Sequence, residues 1–262
     1  MIKAAEFMAR HGMNANRIDL HACTLEIYEK MKKGLIEPLH DMPMIPTYLH
    51  GEADVPQGRK VAVIDAGGTN FRTALVHFDK NGAQIEKLEK HDMPGLHEPA
   101  DWSEFISHTA KCVLPLMDEA EAIGFSFSYA ADITPEKDGR VIEITKQVEI
   151  LNASGKLLGA DLMAELKRLG APEKNIIVIN DTPATLLGGT AMLKKSNYSG
   201  LIGLVVGTGA NACCMIEENR IEKTEFEKVY PRLIGQSYRP ENGMLVVRTV
   251  KLLEMIGKTV PI

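Results

Sequence analysis

Apolar positions that are β-branched or alternate with polar ones mark strands at Val61 to Ile64, Thr73 to Phe78, Ile85 to Lys90 and Ile123 to Tyr129. Between the last two, Trp102 to Glu121 spaces Phe105, Ile106, Cys112, Val113 and Leu116 as on one side of a helix, with Pro115 as the expected kink. A short strand at Val141 to Thr145, a helix at Ala160 to Leu169, an apolar strand at Ile176 to Ile179 and a helix at Ala184 to Lys194 follow. Leu201 to Val206 and Ala212 to Ile216 read as strands, and Asn242 to Ile256 as a final helix. Ahead of all of these, residues 1–40 predict one or two helices ending near Gly34. Met42-Pro-Met-Ile-Pro-Thr-Tyr48 predicts a connection packed down by its Met, Ile and Tyr side chains. Strands interleaved with helices predict an α/β architecture with mixed sheets.

One arrangement occurs twice. Val61 to Val76 is an apolar strand, a Gly-rich turn with Thr and Asn, and a second apolar strand; Ile202 to Ile216 has the same form. Gly67 and Gly207 lie far enough apart in the chain to place one such hairpin in each of two lobes. Glycines in a tight turn let backbone N–H groups approach an anion, and successive N–H groups make a nest for phosphate oxygens. A strand after each turn disfavours a helix-dipole site, and no G-x-x-x-x-G-K-[ST] occurs. Two other readings stand beside the phosphate cradle: plain hairpins that bind nothing, and a dinucleotide turn. The second arises because Gly207-Thr-Gly-Ala-Asn-Ala212 satisfies G-x-G-x-x-G/A, a pattern that belongs between strand and helix.

Composition narrows the class. The 262 residues carry a formal charge of −5, 45% hydrophobic and 25% charged residues, which excludes disorder and describes one large domain or two lobes. Without clustered Lys and Arg, a dedicated nucleic-acid protein is not expected. No apolar run approaches the roughly 20 residues needed to cross a bilayer, and Glu6, Arg10, Asp19 and Glu26 interrupt any signal-peptide core, so no membrane and no targeting signal are expected. Cys23, Cys112, Cys213 and Cys214 form no C-x-x-C pair, which points to a reducing cytoplasm. Cys213 and Cys214, adjacent on a strand, are expected to face opposite sides as small apolar fillers.

Two carboxylates stand at strand ends. Asp65 faces the first turn, where it could hold a hydrated Mg2+ on phosphates or serve only as a turn residue. Asp181 follows the strand Ile176 to Ile179 just before Pro183. It is either a base at the carboxyl edge of a sheet or, with Thr182, part of the cap of the next helix.

With these residues in place, the chain resembles the hexokinases. Asp65-Ala-Gly-Gly-Thr-Asn-Phe-Arg72 is similar to the family's first phosphate motif, Ile177-Val-Ile-Asn-Asp-Thr182 to its connecting motif, and Val206-Gly-Thr-Gly-Ala-Asn-Ala-Cys213 to its second phosphate motif. Gly124-Phe-Ser-Phe-Ser-Tyr129 and Thr145-Lys146 resemble its sugar-side segment, and Met31-Lys-Lys-Gly-Leu35 and Met44-Ile-Pro-Thr-Tyr48 its lead-in. The matches run in family order from about Met31 to Glu218.

The resemblance implies a two-lobed, sugar-kinase and actin-like (ribonuclease H-like) α/β fold with mixed sheets flanked by helices. The small lobe would span 59–178, and the partial large lobe 1–58 and 179–262. It further implies ATP-dependent phosphorylation of a hexose, glucose by expectation, at the 6-hydroxyl, at the start of glycolysis in the cytoplasm. Asp181 would be the catalytic base and Lys146 a second catalytic group. Thr145, Lys146, Asn180, Asp181 and Asn211 would bind the sugar. Gly67, Gly68, Thr69, Asn70, Arg72, Gly207, Thr208 and Gly209 would surround the phosphates of ATP, and Asp65 would hold Mg2+ through water. The chain departs from the family pattern at Asp132, where a sugar-contacting Ser is expected. Only Glu225 and Glu241 are offered for the sugar-side glutamates, and the sequence ends at Ile262 before the family's second connecting and adenosine motifs. A non-catalytic sugar-binding protein is therefore the rival expectation.

Overall fold

The computed structural model describes residues 2–11, 18–37, 42, 44–50, 55–68, 70–144, 148–193, 200–206, 210–217, 220–222 and 244–248. Its central strand is β2 (Val61–Ala66), where strict alternation buries Ala62, Ile64 and Ala66 on one face. After the first Gly turn the chain returns antiparallel as β3 (Asn70–Asp79), then again as β4 (Gly82–Asp92). On the other flank of β2 lie β6 (Ala122–Phe127) and β10 (Asn175–Ile179), both parallel to it, so the sheet order is β10-β6-β2-β3-β4.

The short strand β5 (Ala100–Asp101), α3 (Trp102–Val113), β7 (Ala130–Ile133), β8 (Gly139–Glu143), β9 (Ile150–Leu151) and α4 (Leu158–Arg168) fill in around this sheet. Trp102, Phe105, Ile106 and Val113 of α3 and Leu158, Leu162 and Leu166 of α4 join Ile64, Phe71, Leu75, Phe125 and Phe127 in one core. Asp101 and Glu104 form a capping box at the start of α3. The helix yields to a single 3-10 turn, Leu114–Leu116, where Pro115 has no N–H to continue it.

A second sheet has the order β1-β13-β12-β11, from β1 (Ile45–His50), β11 (Ile202–Val206), β12 (Ala210–Glu217) and β13 (Met244–Arg248). Its faces are read most directly along β12. Cys213 and Met215 pack on Leu186 and Leu187 of α5 (Asp181–Leu193). Cys214 and Ile216 turn the other way, toward Leu35 and Met31 of α2 (Leu20–Ile36) and toward Met42 and Met44. The adjacent cysteines therefore face opposite sides and are free thiols. The chain opens with α1 (Ile2–Arg10).

Two expectations are corrected here. The helix expected over Asn242 to Ile256 is contradicted within its described part: Met244–Arg248 is a strand, paired on both sides, with Cys214 opposite Val247 and Pro46 opposite Val247. Val246 and Val247 suit a pleated, two-sided position, and pairing outweighs a short helical pattern. The connection expected at 42–48 contains β1, an edge strand that tolerates Pro46. It is irregular between Pro46 and His50, where Tyr48 takes φ 57. No helix among the described residues is long and apolar enough to cross a membrane.

Candidate active site

Because β2, β6 and β10 run parallel, their carboxyl ends emerge on one edge. Register places Asp65 level with Ser126, and Ser126 level with Ile179. Two strand spacings, about 10 Å, therefore separate Asp65 from the residue that leads into Asn180 and Asp181. The loops leaving these strands carry the candidate chemistry.

After β10, Asn180 is buried to 8% exposure and its amide is bonded at both its oxygen and its nitrogen. Its Nδ2 donates to the Phe127 carbonyl at 3.3 Å, tying β10's exit to that of β6. Its Oδ1 accepts from the Thr182 N–H at 3.2 Å and from Asn211 Nδ2 at 3.4 Å. Its carbonyl accepts from the Ala184 N–H at 3.1 Å. Asn180 thus caps α5, and the capping role considered for Thr182 and Asp181 falls away. Asp181 opens the helix, where the positive end of the helix dipole favours a carboxylate, and its Oδ1 accepts from the Thr182 hydroxyl at 3.1 Å. Pro183 sits in the first turn, where a missing N–H costs nothing, so α5 begins before the expected Ala184.

The second hairpin is clamped to this helix. Gly203 lies so close that an added Cβ would be 2.9 Å from Leu186 Cβ and 3.0 Å from the Thr182 carbonyl oxygen. Cys213 Sγ donates to that same carbonyl at 3.2 Å. Asn211, opposite Val205 in the hairpin, is brought to Asn180 by this packing. The strand β12 running from Ala210 through Asn211 also removes the dinucleotide reading, since the pattern there returns as strand and not as helix.

At the first turn, Asp65 and Arg72 stand opposite each other in the β2–β3 hairpin, and Arg72 Nη1 donates to Asp65 Oδ2 at 2.8 Å. Arg72 therefore orients the carboxylate as well as standing beside the turn. The Gly67 N–H donates to the Asn70 carbonyl at 2.9 Å, closing the turn. Sequence reasoning missed one participant. Tyr129, only 3% exposed, donates its hydroxyl to the Gly67 carbonyl at 2.6 Å and to the Gly68 carbonyl at 3.3 Å. Burial pushes its phenol up to about 12, which keeps it a donor. Its signal in the sequence was only its place at the end of the sugar-side segment.

Of the expected site residues, Asp65, Gly67, Gly68, Asn70 and Arg72 gather at the first turn, and Asn180, Asp181 and Asn211 at the start of α5. Thr69, Thr145, Lys146, Gly207, Thr208 and Gly209 lie outside the described residues, as do Glu225 and Glu241. Asp65 offers the oxygen donors Mg2+ takes, one or two carboxylates with water and phosphate completing the shell, so the residue types fit that ion.

The model of the family described as Hexokinase matches residues 6–191. The chain belongs to the hexokinase family. Hexokinase-1 of Schizosaccharomyces pombe is 29% identical over 215 residues, covering 78% of this chain and 43% of that protein. Human hexokinase-2 is 28% identical over 212 residues, covering 76% of this chain and 23% of that protein. This hexokinase-family chain thus spans less than half the length of these curated relatives. Its fold is shared with the hexokinase from Schistosoma mansoni complexed with glucose, at TM-score 0.65 and 20% identity over 86% of this chain and 49% of that one. A second hexokinase crystal structure superposes at TM-score 0.60 with 20% identity. The mixed α/β, sugar-kinase and actin-like fold expected from the motifs is the one observed.

Proposed function

We propose that the chain phosphorylates a hexose, glucose by preference, at its 6-hydroxyl with MgATP. The observation that carries this reading is the state of Asp181. Its carboxylate is spared from helix capping by Asn180, and it stands beside the Asn180–Asn211 pair on the sheet edge that also bears the first Gly turn. A base needs a carboxylate that is held but not consumed, and a polyhydroxylated sugar needs paired amides to orient it.

In this reading Asp181 accepts the proton of the 6-hydroxyl as that oxygen bonds to the γ-phosphorus and the bond to the departing ADP oxygen breaks. Asn180 and Asn211, with Thr145 and Lys146, hold the sugar hydroxyls, and Lys146 stands near the transferring group. Gly68, Thr69 and Asn70 on one side, in the turn that the Gly67 N–H closes, and Gly207, Thr208 and Gly209 on the other, would present N–H groups to the phosphates. Arg72 fixes the Asp65 carboxylate, which would hold Mg2+ through water. Bound Mg2+ supplies charge neutralisation on the phosphates. Positioning and fixed dipoles carry most of the rate in such a transfer, which is what strand ends and a capped helix provide. The lobes would be 59–178 and 1–58 with 179–262, the substrates meeting between them, and the reaction would stand at the start of glycolysis in the cytoplasm.

ADP release coupled to a spectrophotometric signal, with glucose, fructose and mannose in turn, tests the reading. Asp181→Ala is expected to lower turnover by at least about 100-fold, the range for losing a general base, while the chain still melts cooperatively and loses no more than about 1 kcal/mol of stability with the helix-end carboxylate. Activity retained in that variant would overturn the assignment of Asp181. Asp132, exposed on β7 where the resemblance leads one to expect a sugar-contacting Ser, favours the rival reading of sugar binding without transfer. Saturable glucose binding with no ADP release from the wild-type chain would establish that rival.

A further inference from the structure

We propose that Tyr129 is a positioning residue of the first glycine turn, setting the direction in which that turn presents its N–H groups to a phosphate. The inference rests on the phosphate-binding reading of that turn and assigns it a residue from the segment that resembles the sugar side. A trans peptide unit points its C=O and its N–H in opposite directions. Tyr129 draws the Gly67 carbonyl to its hydroxyl at 2.6 Å, so the N–H of Gly68, which shares that peptide plane, is turned away from Tyr129. The contact to the Gly68 carbonyl at 3.3 Å extends the same constraint to the next unit. Glycine has no side chain to resist rotation of these planes, and an N–H nest binds an anion only when its members converge. A donor on the far side of the turn is therefore what the two glycines lack on their own.

The hydroxyl is itself held in place. The Ser128 N–H donates to the Ala66 carbonyl at 3.1 Å, so the residue before Tyr129 is tied to the residue before Gly67. The ring packs on Phe127 with centroids 5.2 Å apart. With the phenol raised by burial, the group donates throughout the usable pH range.

The test is Tyr129→Phe in the full chain, which keeps the ring and removes the donor. Three quantities are read: amide hydrogen exchange of a peptide covering 61–72, the Kd of MgADP by calorimetry, and the Kd of glucose. Exchange in that peptide is expected to quicken. The MgADP Kd is expected to rise roughly 3- to 10-fold, the equivalent of one net hydrogen bond, while the glucose Kd stays the same. A merely structural role would move the melting temperature and both affinities together, and that outcome overturns the proposal. So does an unchanged MgADP Kd with unchanged exchange. If the wild-type chain binds glucose but no MgADP, the phosphate reading of the turn has failed and the proposal falls with it. That outcome is told apart by appearing before any substitution is made.

Discussion

A methyl group added at Gly203 would have its carbon 2.7 Å from Cys213 Sγ, 2.9 Å from Leu186 Cβ and 3.0 Å from the Thr182 carbonyl oxygen. None of these is the loose end of a long side chain, so α5 and the second hairpin would have to part. Gly203→Ala is expected to cost about 1–3 kcal/mol, the usual range for overpacking. Because the first turn of α5 carries Asp181 and follows Asn180, it is also expected to raise the glucose Kd. Thermal melts with a glucose titration check both; a variant that melts and binds like the wild type would mean the contact gives way freely. Gly203 was invisible in the sequence, where it is one more small residue in an apolar run. Tyr129 was passed over for a related reason, since its partners are backbone carbonyls some 60 positions earlier. Asp65 and Asp181 could be singled out from the sequence because each is a carboxylate at the end of an apolar strand, whereas Asn180 and Asn211 were singled out by the resemblance of their motifs to the family's. The role of Asn180 as the cap of α5 was not legible. Asn180, Asp181 and Thr182 are all good capping residues, and only the hydrogen bonds distinguish them.

At the scale of elements, α4 shows how a helix start can depend on a distant segment. Leu157 occupies the N-cap position and offers no side-chain oxygen. Asp138, from the loop between β7 and β8, supplies it instead, accepting from the Gly159 N–H at 2.6 Å and the Ala160 N–H at 2.9 Å, and from its neighbour Gly139 at 2.6 Å. The approach is close enough that a Cβ on Gly159 would lie 2.8 Å from Asp138 Oδ1. Asp138→Ala is expected to lower stability by about 1–2 kcal/mol, as loss of a cap does, read as a lower urea midpoint at unchanged slope. An unchanged midpoint would show that water replaces the carboxylate. Of the elements read correctly from sequence, β2, β3, β6, β10 and α3 send apolar residues into one core, whereas β4 was read from its alternation although Ile85 and Leu88 are exposed. Those missed are governed by partners. β13 is a strand because β1 and β12 flank it, and β7 is a short strand held by pairing with β8, the strand expected at Val141 to Thr145. Short apolar runs fit strand and helix alike until pairing decides.

For the whole molecule, the order of motifs was readable because parallel strands bring successive loops to one edge, whereas the burial that tunes charges was not. His108 on α3 is the clearest case. It packs edge-on to Phe71 with centroids 5.4 Å apart and lies 6.0 Å from the ring of His91 on β4; its Nε2 is 3.5 Å from Cys112 Sγ, and Lys111 is its neighbour. Burial, then the nearby His91 and Lys111, hold its pKa below the ordinary 6.5. On the β4 side, a Glu89 carboxylate oxygen lies 3.5 Å from His91 Nε2. With the folded pKa depressed, the unfolded chain takes up the proton first. The stabilisation is full above 6.5 and is lost as pH falls through the lowered folded value. A second loss of the same sign comes lower. Lys60 and Lys87 hold Glu86 and Glu119 below the ordinary 4.5, so their contribution fades only as pH falls beneath that value. Melting temperature followed from about pH 8 down to about pH 2 is therefore expected to fall in two stages. His108→Gln is expected to flatten the upper stage and leave the lower one. Salt is expected to flatten the lower one instead, because these carboxylates are solvent-exposed and the screening length shrinks to about 3 Å at 1 M. An upper stage that survives in His108→Gln would assign it to another group and overturn this account of the α3–β4 contact.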